Sequence, residues 1–262
     1  MLLAEPPESD YDLRFQLLGF PIRITWSFWL LALVFGYNLV QGVDNLFLNA
    51  SPGPLPLLVL WTAAVLVSIL IHELGHAVAF RLFGIRSSIV LYHFGGLAIP
   101  SSGWRPVRSR PRSQRLENIV IAVAGPVAQL LLAAAVIVGV RLAGYQVLLL
   151  PEYVAWIPGV RGGEPIVEAG AFAAVNFVIF PSIHWAILNL APVWPLDGGR
   201  ISRELVLMSG GTLETAHWSS VLFGGICAVL AFQWGQLFLA ILFASLAASS
   251  YQMLSTIGPW QR

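Results

Sequence analysis

Six long apolar stretches, joined by shorter polar connections, set what this chain of 262 residues can become. A helix crossing the hydrocarbon core of a bilayer needs about 20 mostly apolar residues, because each residue rises about 1.5 Å through a core about 30 Å thick. The stretches fall at about 24–42, 56–83, 118–140, 170–191, 213–232 and 235–256. The last two form a tight hairpin, divided at Gln233-Trp234-Gly235 and preceded by the turn signal Ser209-Gly210-Gly211. Only 10% of residues are charged, against about 25% in soluble domains, so the bilayer is the expected solvent. The chain reads as a single integral-membrane domain over 1–262, all-α and polytopic. A net charge of +1 leaves no basic surface broad enough for nucleic acid. The lone cysteine, Cys227, lies in an apolar run as packing and excludes both an internal disulfide and a cysteine-based zinc site. The acidic start, Met1 to Asp12, is the opposite of a signal peptide's basic leader, so the first apolar stretch is expected to stay in the mature chain.

Arginines orient the spans, because positively charged loops remain on the cytoplasmic side. The connection after the second span holds Arg81, Arg86, Arg105, Arg108, Arg110, Arg112 and Arg115, and the one after the fourth holds Arg200 and Arg203. The connections after the first and fifth spans hold none, and the third-to-fourth connection holds only Arg141 and Arg161. A multi-pass protein of the cell membrane with both termini in the cytoplasm follows. The apolar run Tyr145 to Leu150 is expected to lie on the membrane surface.

Between Ile85 and Trp104 the pattern changes to strand formers, Ile89, Val90, Leu91, Tyr92 and Phe94, which Gly95-Gly96 divides from Leu97-Ala98-Ile99. A small β-hairpin or re-entrant loop between the second and third helices is expected. It must be shielded by helices or line a polar cavity, because an open strand edge in hydrocarbon is costly. The segment Trp104 to Arg115 reads as a cytoplasmic tether that touches anionic lipid.

The second span ends in Ile71-His72-Glu73-Leu74-Gly75-His76. Two imidazoles four residues apart share one helix face about 6 Å apart along the axis, which suits metal chelation. Glu73 lies beside the first, where its carboxylate can deprotonate a metal-held water, as in a zinc peptidase. A charged group inside a spanning helix costs about 2.5 to 3.5 kcal/mol and is usually functional. A catalytic zinc commonly takes three protein ligands, so a third must come from elsewhere. Among the acids, Glu117 opens a helix, Glu204 and Glu214 flank a polar loop, and Asp197 ends a segment broken by Pro192 and Pro195 and followed by Gly198-Gly199. Such a break can swing a carboxylate toward a neighbouring helix, although a plain turn leading out of the fourth span explains the same residues. A glutamate at the metal would instead mark another class of membrane metalloprotease.

At these residues the chain resembles the site-2 proteases, zinc metalloproteases that cut substrates within the membrane. His72-Glu73-Leu74-Gly75-His76 is similar to the family's first zinc motif, and Asn189 to Gly198 to its second, the Asn-x-x-Pro-x-Pro-x-Leu-Asp-Gly pattern. Ala124-Gly125-Pro126 resembles a Gly-Pro feature of the third core helix, Gly95-Gly96 a substrate-contacting strand, and Gly19 to Ile24 the lead-in of the sporulation-type branch. Trp194 stands where the second motif usually has its second proline, with Pro195 one place later and the Asn-to-Asp spacing kept. Within these 262 residues no PDZ or CBS module of the kind many relatives carry is expected. The resemblance implies one zinc ion held by His72, His76 and Asp197, with Glu73 as general base and later proton donor. It also implies Asn189 as an oxyanion or substrate contact, and Gly95 and Gly96 as substrate-binding positions.

The expected function is hydrolysis of peptide bonds in or near transmembrane segments of membrane-protein substrates, in regulated intramembrane proteolysis, with a regulatory membrane partner. The active site lies nearer the cytoplasmic side. A non-cleaving zinc-binding scaffold or chaperone is the alternative, and an ion or metal transporter a third. A transporter would distribute its polar residues over both membrane halves, whereas these concentrate near one depth. His93 reads as a hydrogen-bonded structural histidine or a substrate contact, His184 as packing or cavity lining, and His217 as interfacial. Trp26, Trp29, Trp104, Trp218 and Trp260 fit an aromatic belt.

Overall fold

The protein is described by a computed structural model, over residues 5–93, 95–101, 111–147 and 162–256. Two strands open it, β1 (Leu13–Leu17) and β2 (Phe20–Ile24), and α1 (Trp26–Phe47) and α2 (Pro54–Leu82) follow. A second pair of strands, β3 (Ser87–Tyr92) and β4 (Gly95–Pro100), precedes α3 (Pro111–Leu142) and α4 (Ala169–Asn189). A short helix α5 (Asp197–Met208) leads into the closing hairpin of α6 (Leu213–Gln233) and α7 (Leu237–Thr256). Six of these helices, all but α5, are long and apolar enough to cross a membrane. Their outward faces expose Leu30, Val34, Leu131, Val138 and Phe232, as faces that meet lipid do.

The expected hairpin is present as β3 and β4, but it belongs to a larger sheet. Its order is β1-β2-β3-β4, with β2 parallel to β3 and the outer pairs antiparallel. The two early strands displace the expected start of the first span from 24 to Trp26. The cause is alternation: Phe20, Ile22 and Ile24 face the core, Leu18 and Gly19 turn with positive φ of 52° and 79°, and the Thr25 amide bonds the Leu91 carbonyl at 2.9 Å. Gly95 and Gly96 open β4, paired with Tyr92 and Leu91, so they stand in the strand and not between strands.

Arg23, on β2, is buried and held by Glu5 at 2.8 Å, Asp12 at 3.1 Å and the carbonyls of Pro6 and Pro7. The acidic start of the chain thus neutralises a buried cation. Arg81 at the end of α2 bonds the Leu18 carbonyl at 2.8 Å and lies over the Phe20 ring, fixing the sheet to that helix. The main core lies among α1, α2, α4 and the sheet around Trp61, Phe172 and Phe177. Trp61 donates to the Ala32 carbonyl at 2.8 Å and fills the space opposite Gly36.

Of the expected tether, 102–110 lies outside the described residues, as do Trp104 and Trp260. From Pro111 onward the chain is already helical. The run expected on the membrane surface is described only as far as Val147.

Candidate metal centre

His72 lies 18 residues into α2, about 27 Å along it, and His76 one turn further. The two imidazoles therefore share one face, and both are buried. Asp197 arrives from the far end of the chain. Helix α4 stops at Asn189, the stretch Leu190–Leu196 runs without regular structure, and Asp197 is the first residue of α5, where a carboxylate also meets the helix's positive end. Gly198 and Gly199 do not have positive φ. They are needed for close approach: a Cβ on Gly198 would stand 2.1 Å from the Leu190 carbonyl oxygen, and one on Gly199 would stand 2.4 Å from the Trp194 nitrogen.

These three side chains meet. The His72 and His76 Nε2 atoms are 3.1 Å apart, and Asp197 Oδ2 is 3.1 Å from one and 3.2 Å from the other. Among the described residues they form the one group of such side chains able to hold a metal ion. The Nδ1 atoms face acceptors, His76 donating to the Ile121 carbonyl at 2.7 Å and His72 to Gln129 Oε1 at 2.9 Å. In neutral imidazoles with those protons on Nδ1, each Nε2 carries a lone pair. Two lone pairs and a carboxylate oxygen then converge with no hydrogen between them, an arrangement that a cation relieves. A tetrahedral ion with ligands at about 2.05 Å sets them about 3.3 Å apart, close to the observed edges. The donor set of two nitrogens and one oxygen fits zinc with a position left open.

Glu73 is buried beside this group, and β4 passes directly across it: a Cβ on Gly96 would lie 2.3 Å from Glu73 Cγ. Gly95, at φ 110°, faces the Trp185 ring at a similar separation. Strand β4 is last in the sheet order, so its outer edge has no strand partner among the described residues. Asn189 stands at the end of α4, its amide donating to the Trp185 carbonyl at 3.0 Å. Ala124-Gly125-Pro126 also finds its reason here, since a Cβ on Gly125 would stand 2.2 Å from His76 Nε2. Gly75 lets the Ala124 carbonyl approach, so α2 and α3 touch backbone to backbone.

The remaining polar residues lie apart from the metal-binding group. Glu204 is buried and accepts from Asn118 at 3.0 Å, and neither it nor Glu214 joins the group. His93 bonds Ser27 at 3.0 Å, and His184 bonds the Phe180 carbonyl of its own helix at 2.8 Å. His217 is buried against Trp194. Cys227 packs beside the cluster of Val193, Leu196, Phe243 and Leu246. Trp194, the departure from the motif, is held between the closing hairpin and α5, its amide donating to Ser220 of α6 at 3.2 Å and its ring lying under Arg203 of α5. The sequence reading missed Gln129 and Trp185. Gln129 carried a usable signal as the one polar residue between Ile119 and Val140.

The family described as Peptidase family M50 matches residues 60–232. The protein named Rip3 from Mycobacterium tuberculosis is 26% identical over 223 residues, 82% of this chain and 48% of its own. Stage IV sporulation protein FB of Bacillus subtilis is 27% identical over 199 residues, 72% of this chain and 56% of its own. The chain thus spans about half the length of the curated relatives it matches. A solved structure, a site-2 protease from Methanocaldococcus jannaschii, is 21% identical, covers 94% of each chain and has a TM-score of 0.48.

Proposed function

The chain belongs to peptidase family M50, and on that premise we propose that it is a site-2-type zinc endopeptidase. In this reading it hydrolyses peptide bonds in or near the transmembrane segments of other membrane proteins, in regulated intramembrane proteolysis with a regulatory membrane partner. The observation that carries the reading is the buried triangle of His72, His76 and Asp197 with Glu73 beside it under β4.

His72, His76 and Asp197 would hold one zinc ion, which would supply Lewis acidity toward a water and a peptide carbonyl. Glu73 takes the proton of the attacking water and returns it to the departing amine as the carbon–nitrogen bond breaks. Asn189 has one amide hydrogen engaged by the Trp185 carbonyl, and its second is available to an oxyanion without adding charge to the membrane. A substrate helix has no free backbone and must unwind first. The outer edge of β4, without a strand partner among the described residues, receives the unwound stretch as an added strand, with Gly95 and Gly96 permitting close approach. The whole of 1–262 acts as one membrane domain. The arginine distribution supports an orientation with both termini in the cytoplasm. His72 then lies about 15 Å from the cytoplasmic end of α2, so water reaches the site from that side.

The test is purified wild type against Glu73→Gln, with zinc content and cleavage of single-span membrane peptides measured together. Retained zinc with abolished cleavage supports the mechanism. Equal cleavage by both proteins rejects it, and zinc binding without cleavage in the wild type favours the non-cleaving scaffold.

A further inference from the structure

Gln129 is fully buried at the middle of α3, where an uncompensated amide is costly. Its hydrogen bonds account for it. Its Nε2 donates to Ser68 Oγ at 2.8 Å, which leaves Oε1 facing His72 Nδ1 at 2.9 Å as an acceptor. Ser68 Oγ, having accepted that bond, stands 2.9 Å from Ser182 Oγ on α4, with its own hydrogen available. The three side chains join α2, α3 and α4 in one direction of donation, which starts at the imidazole and runs through Gln129 and Ser68 toward Ser182. With the amide nitrogen on Ser68, its oxygen accepts from Nδ1 of His72, and that leaves the Nε2 lone pair pointing at Asp197 and His76.

We propose that Gln129 is a positioning residue that sets the tautomer and ring orientation of His72 for metal binding, with Ser68 holding the amide nitrogen. The inference rests on the zinc reading above. Ser182 anchors the far end and contacts no ligand, so it separates a positioning effect from loosened helix packing.

The experiment is zinc affinity by chelator competition on the detergent-solubilised full chain, together with the absorption spectrum of the cobalt(II)-loaded protein. Gln129→Met, near in shape and without an acceptor, is expected to weaken zinc about 10- to 100-fold and to shift the cobalt bands. Gln129→Glu keeps an acceptor in place and is expected to hold affinity within about threefold of wild type. Ser182→Ala is expected to lower thermal stability and leave affinity within about twofold. Wild-type affinity and spectrum in Gln129→Met overturn the proposal. So does an equal loss in Ser182→Ala, or a tenfold loss in a folded Gln129→Glu when Gln129→Met fails to assemble. A wild type that binds no zinc overturns the hydrolase reading and this inference together, whereas a zinc-binding wild type matched by Gln129→Met overturns this inference alone.

Discussion

Gly96→Ala isolates the contact between β4 and Glu73. A methyl group there would lie 2.3 Å from Glu73 Cγ and 2.5 Å from Oε1. Ordinary carbon contacts are about 3.5 to 4.0 Å, so the strand and the carboxylate must part by about 1.5 Å. Misplacing a reacting group by about 1 Å can lower turnover about 100-fold, equivalent to about 2.7 kcal/mol in the barrier. Zinc is expected to remain, because Glu73 is not among the three converging ligands. The assay is kcat/KM on a membrane peptide with zinc content determined on the same sample, and Gly42→Ala, whose methyl meets nothing within 4 Å, serves as the neutral control. Zinc-replete Gly96→Ala that keeps more than about half of wild-type kcat/KM would refute the reasoning, since β4 could then not be held against Glu73 in the working protein.

Gly125→Ala carries the complementary effect. Its methyl would lie 2.2 Å from His76 Nε2, so zinc affinity by chelator competition should fall at least about tenfold, and an unchanged affinity would contradict that packing. Arg23→Met strands the Asp12 side chain, whose solvent exposure is 0%, without its cation. Removing one partner of a buried pair costs about 3 to 5 kcal/mol, enough to release the segment before β1. Limited proteolysis should then cut between Glu5 and Asp12 while zinc content is kept, and continued protection of that segment would count against the pairing.

The spanning helices were legible in the sequence because lipid imposes length and apolarity on every turn, a signal that no local contact overrides. His72, Glu73 and His76 were legible because ionisable groups at that depth are costly to keep without use. Asp197 could be singled out only through its broken surroundings, since a turn and a ligand loop share prolines and glycines. The first two strands were less visible. Their alternation over Leu13–Leu17 and Phe20–Ile24 is short, and it merges into the apolar start of α1. The glycines at 198 and 199 misled in a different way: they exclude a Cβ from tertiary contacts, which sequence position alone does not distinguish from a turn. Gln129 needed the fold, because its role depends on Ser68 and Ser182 arriving from two other helices.

The coordination of a single ion by His72, His76 and Asp197 is tested most directly by the zinc-edge X-ray absorption spectrum of the zinc-loaded protein. Two imidazole nitrogens and one carboxylate oxygen at about 2.0 to 2.2 Å, with one imidazole missing after His76→Ala, is the outcome expected. A sulfur ligand at about 2.3 Å, or a spectrum unchanged by His76→Ala, would contradict it.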